Sequence, residues 1–346
     1  IASIGMLFIM LSAGMEMDIG DLAKASKKGI LVALGGMILP LGFGYVTGLL
    51  FLPDSEFKIA QCFFLGVALS ITAIPALSRV LCDLNIMQTR IGNTLINAAI
   101  ADDVLGLILL AILTAMITGE GIPSAATLGI LIAKVIGFFI VSLTIGQFLM
   151  PFLGKRLSSI KIKEVELTIA LIIALAFGIG AEYAGMHFII GALVAGMFLR
   201  EGTFGDKVAA ELESKISGIT LGFLAPIFFV SIGLNVDLSA FVVAPFFMLV
   251  LLFAAIIGKL LGSGIPARLT GFTKRESLAI GIGMNGRGAV EIIVAAVALE
   301  TGLFTLPVPT PSIVSAIFSS EVIMAIVTTI LVPLGMKPLL RRKNAT

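Results

Sequence analysis

Long apolar runs alternate along the whole chain with short breaks rich in charge, Pro or Gly. The runs fall at roughly 1–17, 29–52, 60–80, 92–118, 126–153, 165–185, 188–199, 218–234, 241–264, 277–299 and 312–336. A helix needs about 20 apolar residues to cross ~30 Å of hydrocarbon, so the pattern predicts about 11 transmembrane spans. The run 188–199 is short for that distance and is expected to be tilted, broken or extended into its flanks. Backbone polar groups find no water in hydrocarbon, which makes an all-α polytopic membrane protein the predicted class.

Charge orients these spans. The chain holds 23 Lys and Arg residues. One set of alternate loops carries nearly all of them, from Lys24, Lys27 and Lys28 through to Arg341, Arg342 and Lys343. The opposite set carries Lys58 alone. The positive-inside rule then puts the basic loops and the C-terminus in the cytoplasm of a multi-pass cell-membrane protein, with a prokaryotic plasma membrane as the expected location. Three basic residues are left inside spans: Lys134, Lys259 and Arg287. Lys134 lies near the outer third of its span and can snorkel. Lys259 is deep, and a partner carboxylate is expected for it.

Two runs are interrupted at mid-depth. In Ser70-Ile71-Thr72-Ala73-Ile74-Pro75-Ala76, Pro75 removes a backbone donor and disfavours helix at Ile74. Gly281-Ile282-Gly283-Met284-Asn285-Gly286-Arg287-Gly288 packs four glycines into another run. Ala73, Ile74 and Pro75, with Gly283, Met284, Asn285, Gly286 and Arg287, are the predicted broken-helix residues. Unwound backbone at this depth is tolerated only where it is buried in protein or lines a cavity, and half-helix ends there present fixed partial charges.

The chain also repeats itself. Leu11-Ser12-Ala13-Gly14-Met15-Glu16-Met17-Asp18-Ile19 matches Val230-Ser231-Ile232-Gly233-Leu234-Asn235-Val236-Asp237-Leu238 at Ser, Gly and Asp. By the charge map the first copy exits to the cytoplasm and the second to the outside. The predicted organisation is therefore an N-terminally incomplete first inverted repeat (1–125) and a linker helix with its cytoplasmic loop (126–164). A second repeat (165–346) carries Lys259. Inverted repeats with a broken helix in each half point to an alternating-access secondary transporter.

Composition agrees: 58% of residues are hydrophobic, 13% are charged, and mean hydropathy is +1.15. A net charge of +2 without a basic tract gives no nucleic-acid partner, leaving the lipid bilayer as the main surroundings. Cys62 and Cys82 lack metal-ligand spacing and are expected to be small buried apolar residues. No nucleophile–base pair, phosphate-binding loop or metal-ligand cluster indicates an enzyme. The chain starts Ile-Ala-Ser-Ile-Gly, without Met or a basic n-region, as expected of a fragment.

Against this background Asp102 and Asp103 stand out, adjacent and inside an apolar run. One Asp at a helix centre costs roughly 2.5–3.5 kcal/mol on the mildest insertion scale. A monovalent cation needs hard oxygen ligands, and Asp102, Asp103, Thr72 and freed carbonyls around 72–75 supply them. Adjacent helix positions diverge by about 100°, so one Asp faces the ion path and the other a neighbouring helix. An Asp–Lys259 pair would satisfy both charges. A carboxylate that takes either a proton or a cation, never both, gives obligatory exchange. The lone His187, at an external span boundary, is a lesser candidate for a proton relay. Two other readings remain open. One is a potassium/proton antiporter or potassium-efflux system. The other is a sodium-coupled organic-anion symporter, for which Asn97, Asn285 and Arg287 are the available anion contacts.

The motifs Ala101-Asp102-Asp103-Val104-Leu105-Gly106-Leu107, Leu224-Ala225-Pro226-Ile227-Phe228-Phe229, Gly258-Lys259 and Gly283-Met284-x-x-Arg287-Gly288-x-Val290 occur in one order. Together they resemble the NapA-type sodium/proton antiporters, in the second branch of the monovalent cation:proton antiporter superfamily. The resemblance implies an inverted-repeat fold with two broken, crossing helices, 13 spans in full, and a homodimer in the full-length form. The two absent spans would belong to the dimerisation domain. It implies sodium and a proton carried at Asp103, Asp102 paired with Lys259 when no cation is bound, and Thr72 at the first break. It implies no cofactor, Na+ and H+ being substrates, with lithium a further candidate. The Asp102–Lys259 combination resembles the electrogenic subgroup. One departure stands: the family often has Glu where Ala289 stands, and Glu291 is about 200° further round a helix. Glu321, toward the outer end of the last span, carries no role from the resemblance and is expected at an interface.

Overall fold

The computed structural model describes residues 1–17, 26–118, 125–157, 165–199 and 206–340. Asp18 and Ile19 of the first repeat copy lie outside the described residues, as do Lys24, Lys161, Lys163, Arg200, Arg341, Arg342 and Lys343. Each predicted apolar run coincides with a helix or an interrupted helix. Among the described residues, seven helices are long and apolar enough to cross a membrane, and Ala2–Glu16, Ile132–Gly146 and Phe188–Leu199 are shorter apolar helices.

The helices gather into two compact units. One is formed by Ile1–Ile19, Thr114–Gly119 and Pro123–Asn235, the other by Gly20–Leu113, Glu120–Ile122 and Val236–Thr346. Each draws segments from both halves of the sequence. In the first unit, α1 (Ala2–Glu16) buries Leu7, Phe8, Leu11 and Met15 against Ala170, Ala174 and Phe177 and against Ala192, Ala195 and Phe198. The predicted run at 218–234 proves longer. Helix begins at Asp206 and continues through a π-turn, Thr220–Leu224, to Asn235. Pro226 has no N–H for the carbonyl four residues back, and the Ala225 N–H reaches Thr220 O instead, which widens the turn.

The second unit contains both interrupted runs. Its elements are α2 (Lys27–Phe51), α3 (Lys58–Ser70), α4 (Ile74–Asp83) and α5 (Arg90–Thr118), whose last residues lie beyond the unit. They are followed by α6 (Pro245–Leu269), α7 (Lys274–Gly283), α8 (Ala289–Glu300) and α9 (Ser312–Leu340). The order and lengths repeat: α2 and α6 have 25 residues each, α5 and α9 have 29 each, and a broken pair lies between them both times. Around these helices Val32, Leu77, Leu95, Ala98, Phe272, Ile280, Met284 and Met336 form one buried apolar core. Cys62 is buried within α3, whereas Cys82, near the exposed end of α4, is exposed and contacts Met87 Sδ at 3.8 Å. The expectation that both cysteines are buried fails at Cys82 because the break frees α4 to end at the surface.

Small residues let α2 and α6 approach closely. A Cβ on Gly35 would collide with the Gly262 carbonyl, and one on Gly262 with the Gly35 carbonyl. In lipid there is little hydrophobic drive between helices, so such backbone contact carries much of the association. Gly262→Ala and Gly35→Ala should each destabilise the protein by roughly 1–3 kcal/mol, the usual cost of overpacking. Gly42→Ala, where an added methyl meets open space, should be neutral or mildly stabilising. Thermal unfolding of the three variants in detergent reads the difference.

Candidate functional site

The first interruption covers Ile71, Thr72 and Ala73, with extended backbone at Ile71 (φ −76°, ψ 142°) and Ala73 (φ −97°, ψ 121°). Ile74 and Pro75 lie beyond it as the opening residues of α4, where the missing N–H of Pro costs nothing. Residues 72–74 no longer point their N–H groups back along α3 and Pro75 has none, so the freed carbonyls belong to residues 68–71, four positions earlier. The sequence reading put them at 72–75.

Buried cations take these carbonyls. The Arg287 guanidinium donates to Ala68 O (2.5 Å), Leu69 O (2.8 Å) and Ile71 O (2.9 Å). The Lys259 ammonium donates to Ser70 O. Positive charge at a helix C-terminus also complements the helix dipole.

The second interruption runs from Met284 to Gly288, after Gly283 ends α7. Asn285 Nδ2 donates to Gly281 O at 3.0 Å and caps α7. The Arg287 N–H donates to Thr329 Oγ1 of α9 at 2.9 Å. The two interruptions cross. The Ala73 N–H donates to Gly286 O at 2.9 Å, and the Thr72 hydroxyl donates to Met284 O at 2.9 Å. A Cβ at Gly288 would lie 2.5 Å from that of Ala73, so the crossing admits only glycine there.

The Asp pair meets this crossing from α5. Lys259 Nζ lies 3.0 Å from Asp102 Oδ2 and 2.6 Å from Thr72 Oγ1. Asp102 is 1% exposed and Lys259 and Thr72 are 0% exposed, so the pair is out of water entirely. Asp103 is half-buried, its side chain turned away from its neighbour's by helix geometry. The structure thus brings Asp102, Thr72, Lys259, Ala73, Met284, Gly286 and Arg287 together.

Two acids complete the picture. Glu291, in the first turn of α8, is 0% exposed and ion-paired with Arg287 at 3.4 Å. Glu321 is also 0% exposed, which overturns its expected interfacial position. The packing of α9 against α6, α7 and α8 turns this stretch inward, with Ser319 and Ser320 buried beside it. The carbonyl-capping role of Arg287 escaped sequence reasoning. Its one signal there was a basic residue left over inside a span. His187 belongs to the other unit, and burial pushes its imidazole down to about 4, so it stays neutral near neutral pH. Lys134 is exposed on its helix.

The family model described as sodium/hydrogen exchanger, transmembrane, matches residues 1–342. The chain belongs to the sodium/hydrogen exchanger family. Among curated proteins, it is 35% identical over 303 residues to the probable Na+/H+ antiporter GerT of Bacillus cereus, covering 88% of this chain and 78% of that one. It is 33% identical over 333 residues to the Na+/H+-K+ antiporter GerN of the same organism, covering 96% and 81%. The Na+/H+ antiporter of Enterococcus hirae is 29% identical over 338 residues, covering 97% and 83%. Among solved structures, the sodium proton antiporter MjNhaP1 from Methanocaldococcus jannaschii superposes with a TM-score of 0.68 at 17% identity. That match covers all of this chain and 85% of the other, and it shows a shared fold. This exchanger-family chain is therefore a membrane protein of a cation/proton transporter family, and its buried charges sit in an antiporter fold.

Removing one partner of a buried ion pair strands the other. Lys259→Met should destabilise the protein by about 3–5 kcal/mol, and pairing it with Asp102→Asn should recover most of that loss. Thermal unfolding in detergent checks both. A double variant no more stable than the single one would contradict the coupling.

Proposed function

We propose that the chain exchanges sodium, with lithium a further candidate, for protons by alternating access, and that Asp103 is the carboxylate that carries either ion. The observation that carries this reading is the asymmetry of the Asp pair. Asp102 is committed to Lys259, fully buried, while Asp103 on the next helix position is half-buried. A carboxylate that is partly accessible can trade its proton for a cation. Asp102 and Thr72 complete the oxygen set when the cation enters. Cation entry draws Asp102 from Lys259, so Lys259 and Asp103 each give up a proton for one cation. Such a cycle moves net charge, which makes the exchange electrogenic.

All these groups belong to one compact unit, together with both interruptions. That supports an elevator-type cycle in which the unit moves as a body and carries the site between the two sides. The basic loops orient the cycle with the C-terminus in the cytoplasm of a cell membrane.

One comparison keeps a second cation in view, since the relative GerN is named for potassium as well as sodium. The organic-anion reading loses its main contacts, because Arg287 and Asn285 are spent on backbone carbonyls.

Transport in proteoliposomes with a pH probe and a membrane-potential probe tests the assignment. Asp103→Asn should reduce sodium-driven proton movement to that of empty vesicles. Asp102→Asn should keep a measurable fraction of exchange and lose potential generation first. Potassium competition under the same conditions separates the two cations. Wild-type exchange by Asp103→Asn would sink the assignment.

A further inference from the structure

Glu291 and Glu321 take no part in the exchange argued above, yet both are 0% exposed. Glu291 Oε2 and both Glu321 carboxyl oxygens are buried without a hydrogen-bond partner among the described residues, on helices α8 and α9 that pack together. Ionised carboxylates can only accept, so a proton held by this pair supplies the donor that these orphaned oxygens lack. Charge pairing leads to the same requirement. Among the described residues, Lys259 is paired with Asp102 at 3.0 Å and Arg287 with Glu291 at 3.4 Å. Glu321 is left beside a second acid, at a depth where an uncompensated carboxylate costs several kcal/mol. The charged groups that act on the two acids are Arg287 from the second interruption and Lys259 from α6.

We infer that Glu291 and Glu321 form a second proton-binding site, in which Glu321 is a carboxylic acid donating to Glu291 and Glu291 in turn steers Arg287. The site sits in the second repeat where the Asp pair sits in the first: α9, which carries Glu321, matches α5 in length and order. With the proton in place, Arg287, Glu291 and Glu321 sum to zero charge. Arg287 then keeps its donors on Ala68, Leu69 and Ile71. Loss of the proton adds a negative charge beside the guanidinium and competes with those carbonyls. Glu321 is thus a positioning residue for the first interruption, acting through Glu291 and Arg287.

Infrared spectroscopy of the purified protein at neutral pH in saturating sodium, where Asp103 holds no proton of its own, tests this without any transport assay, and the Asp103→Asn spectrum separates its failure from failure of the exchange reading. The wild type should show a protonated-carboxyl C=O band that shifts in D2O. Glu321→Gln, which keeps the shape and one donor, should abolish that band. Glu291→Gln should abolish it too, because Glu321 then ionises against Arg287. Asp103→Asn should retain it. Persistence of the band in either Glu variant overturns the inference, as does a wild-type-minus-Glu321→Gln spectrum containing carboxylate bands alone. If Glu321→Gln does not fold, Glu291→Gln decides.

Discussion

Four consecutive carbonyls at the end of α3 lose their helical donors at membrane depth, and two buried cations satisfy all four. Each such group left bare in hydrocarbon would cost several kcal/mol. Arg287 takes three and Lys259 the fourth. The rest of the charge in this unit follows from that arrangement. A buried ammonium needs an anion, and Asp102 supplies it. A buried guanidinium needs another, and Glu291 supplies it. The interruption of one helix thus dictates an ion pair on α5 and another on α8.

This coupling ties the two interruptions into one object. The Thr72 hydroxyl accepts from Lys259 and donates to Met284 O, so it links the Lys–Asp pair to the second break. The Ala73 N–H and the absent side chain of Gly288 bring the two backbones into contact. A change at the Asp102–Lys259 pair is therefore transmitted to both breaks through hydrogen bonds rather than across empty space. Close helix approach at Gly35 and Gly262 holds α6, and with it Lys259, against α2.

Much of the fold was legible because membrane helices obey a simple constraint of length and apolarity. All the predicted runs are helical, including the short Phe188–Leu199. Both interruptions were announced by Pro and Gly. The register of the first was not, because a proline marks where a donor is missing, while the orphaned acceptor lies four residues back. The extension of helix to Asp206 was hidden as well, since Asp206–Ile219 is too polar to read as a span. Glu321 was misplaced for a related reason. Depth along a span can be estimated from sequence, but which face of α9 meets protein depends on what packs against it.

The sequence by itself determined that this is a polytopic helical membrane protein with two broken helices and costly charges at mid-depth. Composition and local backbone chemistry set those features, and they survive any arrangement of the helices. Only the tertiary structure decided which charge meets which carbonyl. Lys259 and Asp102 are 157 residues apart in sequence, and Arg287 lies 219 residues from Ala68. No local pattern encodes such separations. They are selected by the cost of a bare charge or carbonyl in a bilayer, which only the folded chain can remove.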